Sequence, residues 1–318
     1  MTLFKIVLML QLIFIPLVEP AVSRFPTFQE FCRRFNKTCS SSSGSRNLEY
    51  RERIYYSNID LMERHNSDSK FNYTLDINEW ADLTWDEFKQ ERLRTLANLP
   101  PSRYVPLSRN VREVLDWRTL GKVSPIKNQG PCGSCWAFSA VSALESVVAI
   151  KSNRLYDFSE QHLVDCDTSN LGCNGGLMSR TYNYMKRNGI TLESQYPYVA
   201  TKGVCQRNNT VFKGVKGFQT VLARESSLFT AVKSRPVSVG IEVDSLFRFY
   251  KSGVYNRGTC TNRLNHAVNI VGFGTENNLD FWIVRNSWGG EWGDRGYIKM
   301  IRNRNICGIN NLVSYPVV

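Results

Sequence analysis

The hydrophobic rhythm of the chain changes along its length. Ile6 to Val18 is almost wholly apolar, preceded by Lys5 and followed by Glu19, Pro20 and the small residues Ala21-Val22-Ser23. That layout reads as a cleaved secretory signal, too short and too soon interrupted to make a stable membrane span. Further on, FPTFQEFCRRF and NLEYRERIYYSNIDLMERHN place apolar residues at helical spacing, with the polar stretch CSSSSGSRN between them read as a loop. LPPSRYVPLSRN follows, and its prolines at 100, 101 and 106 exclude regular helix and leave an extended linker.

Beyond the linker, CWAFSAVSALESVVAI (135–150) carries Trp136, Phe138, Val141, Leu144, Val147 and Val148 at near-helical spacing, which predicts a long, largely buried helix. DFSEQHLVDC predicts a second helix with Ser159 as its N-cap. From about residue 211, short strand-like runs take over: RPVSVGIEV, HAVNIVGFG, DFWIVRNSW and GYIKMI, with glycine-bearing turns. The expected organisation is a signal peptide (1–23), a helical pro-segment (24–111) and an α+β mature part (112–318). Within the mature part, a helical half (112–222) precedes a strand-rich half (223–318).

Composition narrows the function. The 318 residues, 42% hydrophobic and 12% aromatic, suffice for a real core. Net charge is +12, mostly from the part after residue 110, but the excess is scattered, without a Lys/Arg block or interleaved aromatic platform. A solvated basic surface is therefore expected, with loose attraction to acidic glycans as the alternative and no nucleic-acid partner. Nine cysteines behind a secretory signal should mostly pair, and the odd number leaves at least one thiol free. Asn36, Asn72 and Asn208 stand in Asn-x-Thr sequons and are candidate glycan acceptors.

NQGPCGSCWAFS (128–139) holds Cys132 and Cys135. A thioredoxin-like pair would want a parallel βαβ setting, which the helical continuation does not offer. Structural zinc needs four ligands; Cys166 and Cys173 have the wrong spacing and no histidine pair completes a set, so no metal is expected. The favoured reading gives the two cysteines separate jobs. Cys135 opens the buried helix, where free amides and the helix dipole favour thiolate. It then needs an imidazole. Of three histidines, His65 lies in the pro-segment and His162, intrahelical and without a polar constellation, reads as a surface residue. His266 remains, with Asn286 to orient it and Trp288 to shield that bond from water. Taken alone, Asn286 reads better as a turn residue before Gly289-Gly290.

These residues resemble the papain family of cysteine proteases, on its cathepsin L-like side. QGPCGSCWAFS, SEQHLVDC, GCNGG, NHAV and NSWGGEWGDRGYI occur in family order, and the resemblance covers nearly the whole chain after the signal. It implies a papain-like fold of two domains, one helical and one barrel-like, with the active-site cleft between them and an inhibitory prodomain ahead. No cofactor is implied. By that resemblance Cys135 is the nucleophile, His266 the general acid/base and Asn286 its orienting group. Gln129 donates to the oxyanion together with the Cys135 N–H. The implied disulfides are Cys132–Cys173, Cys166–Cys205 and Cys260–Cys307, and the unusual Cys32 and Cys39 are expected to pair in the pro-segment. Gly176 would meet substrate backbone. Leu177, Met178, Gly240, Leu264, Ala267 and Leu312 would form the pocket for the second residue before the scissile bond, with Asn265 and Trp288 completing the substrate-binding set. With Leu312 at the floor a buried cation would be unpaired, so Leu, Val or Phe is expected there and Arg poorly used.

The pro-segment matches the family's interspersed helix motif at Arg51, Asn58 and Asn66 and departs from it at Asn47, Tyr55 and Met62. The missing glutamate at 47 deprives Arg51 of an ion-pair partner. Asn78, Trp80 and Asp82 fit the element that follows. The resemblance implies that the linker blocks the cleft. Acid is expected to loosen it by protonating carboxylates such as Asp82, allowing removal near residue 111. The expected partners are protein or peptide substrates, the chain's own propeptide and cystatin-type inhibitors, and the enzyme is expected to be a monomer, lysosomal, endosomal or secreted. The rivals are a catalytically silent binding protein and a peptide ligase on the same fold. All four catalytic positions are intact, and no insertion caps the cleft, which favours an endopeptidase.

Overall fold

A computed structural model describes residues 24–39, 45–94, 96, 104–107, 112–206, 212–258, 260–261 and 263–318. The signal sequence, most of the linker and Asn208 lie outside the described residues. The chain forms two compact units, divided between Cys39 and Ser40.

The first unit is built on α1 (Phe28–Arg34). Its entry is fixed by a capping box: Thr27 Oγ1 accepts from Glu30 N, and the Glu30 carboxylate accepts from Thr27 N at 2.9 Å. A disulfide joins Cys32 to Cys39. Asn36 is exposed.

The second unit comprises, in chain order, α2 (Ser45–Ser67), β1 (Tyr73–Leu75), α3 (Trp85–Arg92), β2 (Leu115–Asp116), α4 (Cys135–Ser152), α5 (Glu160–Cys166), α6 (Met178–Asn188), β3 (Gly217–Thr220), α7 (Glu225–Ser234), β4 (Val237–Ile241), β5 (Tyr250–Tyr255), β6 (His266–Glu276), β7 (Leu279–Arg285), β8 (Tyr297–Ile301) and β9 (Val313–Val317). Ser45 and Arg46, expected in the polar loop, are instead in the first turn of α2.

α4 is apolar around its whole circumference, so burying one face would not suffice. By length and composition it could cross a membrane, yet it is the core helix, 83% buried inside the protein. α5 starts where Ser159 accepts from His162 N at 3.0 Å. His162 itself corrects the sequence reading: it is 6% exposed, not on the surface. Tyr184 of α6 and Tyr196 cover its ring, with centroids 5.9 and 5.7 Å away. Residues distant in sequence close over a face that the helix alone would leave in water.

The strands form one sheet in the order β1-β5-β8-β7-β6-β4-β9-β3, with β2 on β6. The edge strand at one end, β1, comes from the pro-segment and pairs antiparallel with β5, Tyr73 opposite Gly253. Gly253 has φ +87°, and a Cβ there would meet Asn72 O at 2.4 Å, so the close approach requires glycine. The pro-segment is thus held by strand addition. Asn72, one residue earlier, is exposed, with its side chain bonded to Asn256.

Arg51 finds another partner for the one missing at Asn47. Its Nη1 lies 2.8 Å from Glu87 Oε2 and donates to the Asp82 carbonyl. Asn58 donates to Ala81 O and Leu83 O, and Asn66 exchanges two bonds with Leu75. Arg248, buried in the 3-10 turn Phe247–Phe249 just before β5, donates to Leu83 O and to Asn58 Oδ1, and its carbonyl accepts from Asn78. Further disulfides join Cys132–Cys173, Cys166–Cys205 and Cys260–Cys307.

Candidate active site

Cys135 is the first residue of α4, and its thiol is the free one among the described cysteines. Ser134, the N-cap residue, makes no side-chain cap; its hydroxyl meets Tyr198 Oη at 2.7 Å instead. The first-turn amides are therefore not consumed by a cap. The backbone amides of Ala267 and Trp136 favour the charged form of the sulfur. The turn before it is pinned by the Cys132–Cys173 bridge and by Gly133 N donating to Cys173 O at 2.9 Å.

His266 opens β6 opposite Ile241 of β4, and it precedes Ala267, whose backbone favours the Cys135 thiolate. Its Nε2 lies 2.7 Å from Asn286 Oδ1, both residues being buried. An amide oxygen can only accept, so Nε2 carries hydrogen and the lone pair of the neutral ring sits on Nδ1. Nδ1 has no hydrogen-bond partner among the described residues. Trp288 covers the ring at 4.8 Å between centroids.

Gln129 is fully buried. Ser287 Oγ donates to its Oε1 at 2.7 Å, which turns Nε2 the other way, toward Cys132 O at 2.9 Å and Arg92 O at 3.5 Å. Tyr198 Oη donates to the Gln129 carbonyl at 2.7 Å, so one phenol ties this loop to Ser134.

The pro-segment lies over these groups. Arg94 N donates to Asn265 O at 3.2 Å and Leu96 N to Leu264 O at 3.0 Å. Arg94 also packs on Gly133, where a Cβ would lie 2.4 Å from Arg94 Cγ. Leu96 shares one apolar cluster with Cys135, Met178, Leu264 and Ala267, and Leu177 and Leu312 pack at its edge. Gly240 opens this pocket: a Cβ there would stand 3.1 Å from both Leu264 and Leu312. Gly176 sits beside Asn170 and Trp136, with no room for a side chain. Asn265 bonds the Val243 backbone through both ends of its amide. Trp80 and Phe88 of the pro-segment pack edge-on against Trp288 at 5.3 and 5.4 Å.

This cover excludes water, and the electrostatics follow. Burial pushes the Cys135 thiol up to about 11, although the Ala267 and Trp136 amides and Arg94 pull the other way. Burial also lowers His266 to about 4 against the opposing bond to Asn286. At neutral pH both groups are held uncharged. Ser287, Tyr198, Arg94 and Leu96 were not legible as site residues: each acts through a partner more than a hundred positions away or, for Tyr198, through a backbone carbonyl.

Residues 28–88 match the cathepsin propeptide inhibitor domain, and residues 111–317 match the papain family cysteine protease domain. A cathepsin L-like proteinase of Fasciola hepatica is 40% identical over 306 residues, covering 92% of this chain and 93% of the relative. A pro-cathepsin H of Medicago truncatula is also 40% identical, over 92% of this chain and 86% of its own length. Among solved structures, digestive procathepsin L 3 of Tenebrio molitor larval midgut superposes with a TM-score of 0.81 at 35% identity, covering 91% of this chain and 97% of that one. The chain belongs to the papain family of cysteine proteases, and it is a cysteine peptidase zymogen carrying its own inhibitory propeptide.

Proposed function

We propose that the chain, processed near residue 111 to a mature part of residues 112–318, is an endopeptidase working through Cys135 and His266. The observation that supports this best is the convergence of three elements. Cys135 opens the buried helix α4, the Ala267 backbone next to His266 favours its thiolate, and Asn286 fixes which ring nitrogen of His266 bears the free lone pair. Once the cover is gone, His266 Nδ1 takes the thiol proton and the thiolate attacks the scissile carbonyl carbon. The oxyanion receives Gln129 Nε2 and the Cys135 N–H. His266 returns the proton to the leaving amine, and the acyl-thioester is then hydrolysed by water deprotonated at the same nitrogen. Arg92 O already lies toward Gln129 Nε2, which is consistent with pro-segment backbone standing near the oxyanion position.

The pocket bounded by Gly240, Leu264, Met178, Ala267 and Leu312 offers no acid to a cation, which supports preference for Leu, Val or Phe at the second position before the scissile bond. Passage through the secretory route to a lysosome or the exterior fits the four disulfides.

The test is labelling of the processed enzyme by an irreversible thiol-protease probe, with Cys135→Ala as control, followed by hydrolysis of fluorogenic dipeptides bearing Leu or Arg at that position. Labelling lost in Cys135→Ala and faster turnover of the Leu substrate are expected. Labelling that survives the substitution overturns the mechanism. Equal turnover of Leu and Arg overturns the pocket assignment.

A further inference from the structure

The pro-segment meets the mature part again after it leaves the cleft. Tyr104 Oη donates to Glu225 Oε2 at 2.9 Å. Val105 bridges Arg224 in parallel, and its carbonyl accepts from Glu225 N at 2.9 Å. Leu107 N donates to Asn303 Oδ1 at 2.5 Å, and Asn303 Nδ2 faces Leu107 O at 3.5 Å. Pro106, between them, has no N–H to offer, and none is used.

The receiving side is built rather than incidental. Glu225 opens α7 and is fully buried, and its carboxylate also takes Asn303 N at 2.7 Å and Asn310 Nδ2 at 2.8 Å. A buried carboxylate is costly unless its lone pairs are filled. Val105 is 42% exposed, so recognition runs through the Tyr104 hydroxyl and the backbone rather than through the aliphatic side chain. None of these residues belongs to the cleft set. When processing removes the chain to about residue 111, Glu225 loses a donor to its carboxylate and the acceptor of its N–H. Asn303 loses a partner at both ends of its amide.

We propose that the mature enzyme keeps here a peptide-binding site independent of its catalytic centre. It takes an extended Tyr-x-Pro-x segment, and its occupant is residues 104–107 of the released pro-segment. The phenol fills Glu225, the next carbonyl caps α7, and the fourth residue exchanges backbone bonds with Asn303. The inference rests on the reading that maturation removes these residues. Together with the contacts at residues 92–96, the site makes the released pro-segment bivalent, so a pro-segment ending before residue 104 should leave the enzyme faster.

The experiment uses processed enzyme of sequenced N-terminus, its cleft blocked by an irreversible thiol inhibitor, and a fluorescent peptide of residues 102–110 read by anisotropy. Saturable binding is expected. Tyr→Phe in the peptide should weaken it at least about tenfold, as should Asn303→Ala in the enzyme. Turnover of a small substrate by unblocked enzyme should be unchanged at saturating peptide. Absence of saturable binding to millimolar peptide, equal binding of the Phe peptide, or competition with substrate would overturn the site; the Phe peptide needs no altered enzyme. A sequenced N-terminus that still includes residues 104–107 would overturn the processing step instead.

Discussion

Replacing Leu96 by alanine should loosen the pro-segment's hold on the cleft by a calculable amount. Leu96 is 7% exposed, lies in one apolar cluster with Met178, Leu264 and Ala267, and donates its N–H to Leu264 O. The backbone bond survives the substitution and the apolar contact does not. Leu→Ala removes about three methylene equivalents, worth about 2 kcal/mol at ~0.8 kcal/mol each. The cavity penalty seen in rigid cores is left out, because an extended segment can relax against its groove. About 2 kcal/mol corresponds to a roughly 30-fold larger open fraction. The assay is alkylation of Cys135 by an irreversible thiol-protease inhibitor in the intact zymogen at neutral pH, at inhibitor concentrations low enough that opening and closing are fast relative to alkylation and the rate tracks the open fraction. Leu96→Ala should label about 30-fold faster. Arg64→Ala is the control: its ion pair with Asp60 is exposed at both ends, 68% and 59%, and the labelling rate should hardly move. A folded Leu96→Ala zymogen labelled at the wild-type rate would refute the idea that this side chain seals the cleft.

Ser287→Ala should lower kcat several-fold with little change in KM, because Gln129 loses the hydroxyl that turns its Nε2 outward; steady-state kinetics at wild-type values would remove Ser287 from the oxyanion machinery. His65→Gln should shift autoprocessing to lower pH. His65 is buried against Phe71 and Tyr73 with Nε2 near Tyr73 O, and burial lowers its pKa against the opposing influence of that carbonyl, Asp68 and Asp244. A histidine held below its free value of 6.5 favours the docked pro-segment while neutral, and the released segment takes the proton first. The grip therefore weakens as pH falls below 6.5 toward the docked pKa. Glutamine keeps the polar contact without that titration, and an unchanged pH–rate profile of processing would discard the role.

The pro-segment acts on the site electrically as well as sterically. Trp80 and Phe88 seal Trp288 from one side, and Leu96 fills the apolar pocket from the other. In that dry setting neither a thiolate nor an imidazolium is favoured, and Cys135 and His266 are both held neutral. Glu87 works in the opposite sense within the pro-segment itself. Burial raises its carboxyl, but the bonds from Arg51 and Thr84 outweigh it and the pKa ends below the ordinary value. This contribution to the fold is lost only when pH falls through that lowered value, below 4.5. His65 and Glu87 thus give way in different ranges of acidity, the histidine first.

What could be read in the sequence was what lies close together along it or falls into a run of spaced motifs. The buried helix opening at Cys135, the Ser159 cap and the strands of the second half were legible because period and capping are local. The structure adds pairings made across the fold. Ser287 and Gln129 are 158 positions apart, and nothing in NSW marks the serine rather than the asparagine as the residue that fixes the glutamine. β1 is only three residues long, too short for alternation to announce it, and it exists because Gly253 leaves room for the pro-segment backbone. His162 looked exposed because its own helix gave no reason to bury it, while Tyr184 and Tyr196 did. Arg51 makes the same point about charge. A motif with its glutamate replaced by Asn47 reads as a lost ion pair, but a cation needs a carboxylate near it in space, whatever its place in the chain. Glu87, whose oxygen also caps α3 through Thr84, supplies that carboxylate. One group therefore holds the helix start and the cross-link to α2 together, so Glu87→Gln should weaken both where loss of an isolated surface ion pair would weaken neither.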